Sequence, residues 1–190
     1  MDENDLIKTG MEVILRPVTD IAENALGRMG GDWLSESRAR NRAKLKQKTA
    51  KILSDAGVKG DVDPSPSVVA PLLSAAQDEG REDLLNVWAK LLAAALNPAS
   101  STQYRREFVE IVKQLEPVDV LVLPLLASSG SYKPSRIEFI ASQLKRRNPE
   151  IELSIRNLLR LDVAMDNTMG SRDNWPIVTA LGRELLTLVS

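Results

Sequence analysis

The stretch Ser74–Pro98 constrains this chain more than any other. Within it Leu84, Leu85, Trp88, Leu91, Leu92 and Ala95 recur at spacings of three and four, which places them on one stripe of an α-helix. So apolar a segment has to be covered, and the spacing predicts a buried central helix around which the remaining elements pack. Acidic Asp78, Glu79, Glu82 and Asp83 are expected in its first turn, where negative charge suits the positive end of the helix dipole, and Asn97-Pro98 ends it. The segment carries no chemistry of its own.

Composition bears on activity mainly through two zeros. The 190-residue chain contains no cysteine and no histidine, which removes disulfides, thiol nucleophiles, Cys or His zinc sites and any mechanism that needs an imidazole base. A net charge of -1 gives no global attraction to nucleic acid or membrane, so binding of either kind would depend on local patches. No apolar run is long enough to span a bilayer, and the acidic start Met1-Asp2-Glu3-Asn4-Asp5 is the opposite of a signal peptide. A cytoplasmic protein is expected.

Taken in order, the chain is a series of helical patterns. Ile7, Met11, Ile14, Val18, Ile21, Ala25 and Met29 form a nearly heptad stripe interrupted by Pro17. This reads as one kinked helix or two short ones, docked on the core or on a second copy. An interfacial membrane helix fits less well, because Glu12, Arg16, Asp20, Glu23 and Arg28 mix both signs. Residues 33–55 follow as a second helix whose Arg38, Arg40, Arg42, Lys44, Lys46, Lys48 and Lys51 are nearly unopposed after Glu36. Its apolar seam, Leu34, Leu45, Ile52 and Leu53, is thin, so most of it should be solvated. Such a basic run is usually a solvated face, and it is also a candidate to track phosphates or meet an acidic partner. Gly57, Gly60, Asp61, Asp63, Pro64, Ser65 and Pro66 make a turn-rich linker. Asp61 and Asp63 lack the downstream carboxylates of a calcium loop, and no metal site is expected. A short helix over about 67–76, with Val68, Val69, Leu72 and Leu73 inward, leads into the central one.

Beyond Pro98, Phe108, Val109, Ile111, Val112 and Leu115 mark another helix, closed by Glu116-Pro117. Pro117 suits the first position of the next, 118–127. Ile137, Phe139, Ile140 and Leu144 mark a helix that starts at Pro134-Ser135 and ends in Lys145-Arg146-Arg147-Asn148-Pro149. A further helix begins at Ile151 and runs through Arg156 and Arg160 into an apolar strand start at Val163. Residues 166–174 are polar hairpin-tip material, 175–178 the returning strand, and Thr179 the cap of a last helix over 180–189. The fold class expected is mainly α, an N-terminal helical region plus a C-terminal winged-helix-like domain with one short β-hairpin. The boundaries read as 1–60 for N-terminal helices including the basic one, 61–115 for a central helical core and 116–190 for the winged-helix-like domain.

Four segments together resemble a known family. Glu82 to Pro98, with its acidic start, tryptophan and paired leucines, is similar to the signature of the Abi-alpha (abortive infection alpha) family of bacterial proteins. The junction from Phe108 through Leu115 to Pro117-Val118-Asp119 resembles that family's leucine, then proline or serine before aspartate. Asn157-Leu158-Leu159-Arg160-Leu161 and Thr179-Ala180-Leu181-Gly182 resemble its closing pattern, with Asp162 standing where the family often has glycine. The likeness spans about residues 35–190. These motifs are structural rather than catalytic. The resemblance implies an antiphage role, in which an infected cell aborts phage production.

The functional expectation is therefore a non-enzymatic component of an abortive-infection response that acts through protein–protein interaction, with a protein partner or self-association. An enzyme would need carboxylates, lysine, serine or tyrosine alone, and the sequence has no glycine-rich phosphate loop or nucleophile elbow. No catalytic residue, cofactor or small-molecule substrate is expected. The alternative is a winged-helix DNA-binding transcriptional regulator. Arg156 and Arg160 would lie on its recognition helix and Arg172 at its wing tip, but Glu150 and Glu152 crowd that helix's start and weaken the case for DNA. Arg38, Arg42, Lys46, Arg156, Arg160 and Arg172 are the candidate nucleic-acid or partner contacts.

Overall fold

The structure, a computed structural model, describes residues 32–58, 66–128, 136–166 and 175–189. The helix expected over residues 6–29, most of the turn-rich linker and the hairpin tip lie outside the described residues. Among the described residues are eight helices and one two-stranded antiparallel hairpin, so the chain is mainly α. It divides into two compact units, Met1–Glu110 and Ile111–Ser190.

The first unit contains α1 (Asp32–Asp55), α2 (Pro66–Ala76) and α3 (Glu82–Leu96). Helix α3 is the central helix, and it is buried over most of its circumference. Besides the predicted stripe it buries Val87, Ala89, Ala93, Ala94 and Leu96, leaving one polar stripe in which Glu82, Asn86 and the half-buried Lys90 lie a turn apart. A helix so widely apolar is stable only when neighbours cover it from more than one side. Helices α1 and α2 both pack on it and on each other. Thr49, fully buried on α1, donates from Oγ1 to the carbonyl of Ala89 at 3.4 Å. Around it Leu45, Ala50 and Leu53 form the buried seam of α1, while Leu34 and Ile52 of the expected seam are only half-buried.

The acidic start of the central helix divides differently from the expectation. Only Glu82 and Asp83 lie in the first turn of α3, whereas Asp78 and Glu79 belong to the turn that separates it from α2. Glu79 accepts from the Arg81 backbone N–H at 2.8 Å and from its guanidinium at 3.0 Å. That local clasp satisfies its carboxylate before the helix begins.

Helix α4 (Glu107–Val112) follows, shorter than the predicted element. Leu115 falls in the turn after it and is still buried.

The second unit contains α5 (Pro117–Ser128), α6 (Arg136–Leu144), α7 (Asn148–Arg160), β1 (Ala164–Asp166), β2 (Pro176–Val178) and α8 (Ala180–Val189). Helix α5 is its hub, packed against α6, α7, β2 and α8. Pro117 occupies the first helical position, where its missing N–H costs nothing. The same logic corrects the boundary expected near Pro149. Proline there does not end α6; it sits in the first turn of α7, which opens at Asn148. The hairpin pairs Ala164 with Val178, Met165 with Ile177 and Asp166 with Pro176.

Three helices close with the same paired bonds, in which the chain turns back through a left-handed residue. After α1, Gly57 (φ 68°) donates to Ser54 and Val58 to Leu53. After α6, Lys145 (φ 52°) donates to Ser142 and Arg146 to Ala141. After α7, Asp162 (φ 57°) donates to Leu159 and Val163 to Leu158. Asp162 thus adopts the conformation that glycine takes most readily. The carbonyl of Asp162 then accepts from Thr179 Oγ1 at 2.7 Å, and Thr179 Oγ1 in turn accepts from the Gly182 N–H at 3.0 Å to cap α8. Gly182 is the point of closest approach: a Cβ there would overlap the Val163 carbonyl and stand 2.8 Å from Val178 Cγ1.

Two stability effects follow. Trp88, 2% exposed, should cost about 3–5 kcal/mol when replaced by alanine, read as a loss of urea midpoint at unchanged slope. Gly182→Ala should cost about 1–3 kcal/mol through overpacking. Gly80→Ala, with nothing within 4 Å of the added carbon, serves as the neutral control in the same titration.

Candidate functional site

Each unit carries one set of the candidate contact residues. On α1, residues three to four apart share a helix face, and Arg38, Asn41, Lys44 and Lys48 fall on the one turned toward the start of α3. Arg38 forks onto Asp78, Nε to Oδ1 at 2.6 Å and Nη2 to Oδ2 at 3.2 Å. Asn41 donates to the Gln77 carbonyl at 2.9 Å. Lys48 reaches Glu82 at 2.6 Å and Lys44 the same carboxylate at 3.9 Å, while Arg40 lies 3.9 Å from Glu36. The basic run that looks unopposed along the sequence is therefore opposed in space. Arg42 and Lys46, one turn apart and half-buried, form no ion pair among the described residues.

These pairs set the titration of the groups involved. The hydrogen bond from Lys48, reinforced by the charges of Lys48 and Lys44, holds the Glu82 carboxyl below its ordinary range. Hydrogen bonding to Asp78 raises the Arg38 guanidinium still further. Tyr104 is pushed up by burial, against the opposing charge of Arg106, and its hydroxyl is buried without a hydrogen-bond partner.

In the second unit the candidate residues meet a network that the sequence reading did not assign to a site. Asp119, 1% exposed, is the third residue of α5. Its Oδ2 reaches back to accept from the Glu116 N–H at 2.8 Å, the reciprocal half of a capping box. Asn157 of α7 donates from Nδ2 to the same Oδ2 at 2.7 Å and to the Gln114 carbonyl at 2.9 Å. Arg160 closes the circuit, donating to Asn157 Oδ1 at 2.7 Å and to Gln114 Oε1 at 2.8 Å. One member of the supposed recognition pair is thus tied into its own unit. Arg156 is exposed, and Arg172 lies outside the described residues.

A groove of about 650 Å³ runs along this network, lined by Asp119, Ser154, Asn157 and Arg160 with Arg146 and Leu153 at its edge. Asp119 Oδ1 and Ser154 Oγ are both buried there without a hydrogen-bond partner. An unpaired buried polar atom costs roughly 1–3 kcal/mol. Glu150, beside them, is compensated by Arg147 at 2.8 Å and Arg146 at 3.9 Å. The signals for this site were present in the sequence as Pro117-Val118-Asp119 and as Asn157 within an apolar helix. Nothing in either segment alone shows that they touch.

A mainly helical chain, with a buried tryptophan helix in one unit and an aspartate–asparagine clasp between two helices of the other, defines a protein organised by structural motifs. The model of the Abortive infection alpha family matches residues 37–175, and the chain belongs to that family. The match contains both partners of the clasp but stops short of Thr179–Gly182, which adds nothing to it. No match is found among curated proteins or among solved structures.

Asn157→Ala removes two hydrogen bonds, one of them to a carboxylate, and should lower stability by about 1.5–3 kcal/mol. Arg156→Ala, at an exposed position on the same helix, should stay within about 0.5 kcal/mol in the same denaturation series. Glu82 supplies a pH effect of known sign. Its folded-state pKa lies below the ordinary 4.5, so its contribution is present above that value and lost as pH falls through the lowered one. The stability difference between the parent and Glu82→Gln should accordingly shrink as pH drops below 4.5 in parallel thermal melts.

Proposed function

We propose that this protein is a non-enzymatic component of a bacterial abortive-infection response and acts by contacting another protein. The family match over residues 37–175 carries this reading. A chain without cysteine or histidine has few of the usual means of catalysis, which favours a binding role. The described helices include none long and apolar enough to cross a membrane, in keeping with action in the cytoplasm. Within this reading, the second unit is a winged-helix-like docking module, since such folds serve protein contacts as readily as DNA.

The partner surface is assigned to Arg42 and Lys46 on α1, because neighbouring Arg38, Lys44 and Lys48 are engaged with Asp78 and Glu82. An acidic protein surface is its natural complement. Duplex DNA is the weaker candidate, since Arg160 is held by Gln114 and Asn157.

Plaque formation is the deciding assay, with the gene intact, deleted, or carrying Arg42→Glu and Lys46→Glu. The intact gene should reduce plaque number, and the reversed protein should lose that protection while melting like the parent. A DNA titration at two salt concentrations tests the alternative, for which affinity would fall with a log–log slope of about -0.9 per phosphate neutralised. Weak, sequence-blind binding is expected. Tight sequence-selective binding at physiological salt, abolished by reversing Arg156 and Arg160, would establish the regulator instead.

A further inference from the structure

Helix α7 turns to solvent a stripe that neither the clasp nor the α1 surface uses. Opposite its buried Ile151, Ser154, Ile155 and Leu158 stand Pro149, Glu152, Leu153 and Arg156, all exposed. Leu153, 66% exposed, is the most exposed large apolar side chain among the described residues. It shares the edge of the groove with Pro117 and Val118 of α5, and Leu121, 38% exposed, lies one turn further along that helix. The only charge on α5 is the buried Asp119, so its outward side is uncharged. Beside Leu153, Arg146 and Arg147 are matched by Glu150, and Arg160 by Asn157 and Gln114. Glu152 and Arg156 differ from these. They stand one turn apart, and neither side chain has an ion pair or hydrogen bond among the described residues.

We propose that this face is an interface between two copies of the chain, related by a two-fold axis that crosses α7 between Ser154 and Ile155. Leu153 and Arg156 are equidistant from that point, so antiparallel α7 helices lay Leu153 of each copy against the aliphatic stem of Arg156 of the other. The guanidinium then reaches Glu152 of the facing copy, and the pair forms twice. Reversed in direction, the order Glu152, Leu153, Arg156 is its own complement, and this selects a second copy as the occupant. A wholly acidic surface would be repelled by Glu152, and a wholly basic one by Arg156. Leu153, Pro117 and Val118 supply the apolar contact that such a patch needs to exclude water from the charge pairs. The α1 surface belongs to the other unit, and the inference goes beyond the reading given for it.

Sedimentation equilibrium of the full chain from about 10 µM to about 1 mM is the test, a range that reveals a dimer with a Kd of about 100 µM or tighter. The parent should move from the mass of one chain toward that of two. Leu153→Asp should weaken association at least about tenfold, and so should Glu152→Arg or Arg156→Glu alone, because each reversal sets like charges against one another. All three positions are exposed, so the variants should melt like the parent in dilute solution. The decisive arm mixes the two reversals. One variant then carries two positive charges at these positions and the other two negative, so the mixture should form a heterodimer although neither variant pairs with itself. Arg42→Glu with Lys46→Glu should dimerise like the parent, and loss of the dimer there would place the contact on α1 instead. The mass of one chain across the whole range would overturn the proposal and leave this face to an unlike protein. A dimer untouched by Leu153→Asp and by both reversals would also overturn it, placing the contact elsewhere in the chain. So would a mixture of the two reversed variants that stays monomeric.

Discussion

A helix that is apolar over all but one stripe, the one carrying Glu82, Asn86 and Lys90, has to be covered from more than one side, and most of the first unit follows from that condition. Eleven residues of α3 are buried, more than any single stripe provides, so a neighbour on one face would leave the others wet. Helices α1 and α2 both pack on it, and α1 can do so with few large apolar residues because Thr49 and Ala50 allow close approach. Enclosure also fixes the helix's polar end. Glu82 is exposed at the first turn and becomes the anchor for Lys44 and Lys48, while Asp78 in the preceding turn takes Arg38. These ion pairs are largely exposed and contribute little stability individually. Their stronger effect is on charge: they neutralise one face of α1 and leave its remaining positive character on Arg42, Lys46 and Lys51.

The second unit depends on a single carboxylate in the same way. Asp119 begins as a local device, closing the first turn of α5, and becomes a tertiary one when Asn157 of α7 binds the same oxygen. Because Asn157 also holds the Gln114 carbonyl and orients Arg160, one side chain links the approach to α5, its first turn and the last turn of α7. The arrangement leaves the carboxylate's second oxygen without a donor beside a groove.

The region matched by the Abortive infection alpha family, residues 37–175, contains both the central helix and the clasp.

The sequence by itself determined what depends on near neighbours along the chain. Helical spacing located Leu84 to Ala95, the N1 preference of proline located the start at Pro117, and Thr179 marked the cap of α8, because periodicity and capping act within a few residues. The left-handed turn at Asp162 was not legible, because aspartate takes that conformation less readily than glycine and the apolar pattern runs on into Val163. Sequence reading erred where one residue type serves two local roles, as with Pro149, which can follow one helix or open the next. Only the tertiary structure decided that the basic run on α1 is opposed and that Arg160 is engaged. Those outcomes rest on Arg38 meeting Asp78 across 40 residues and Asn157 meeting Asp119 across 38. No local propensity encodes such pairings, because they exist only after apolar burial has brought distant helices together.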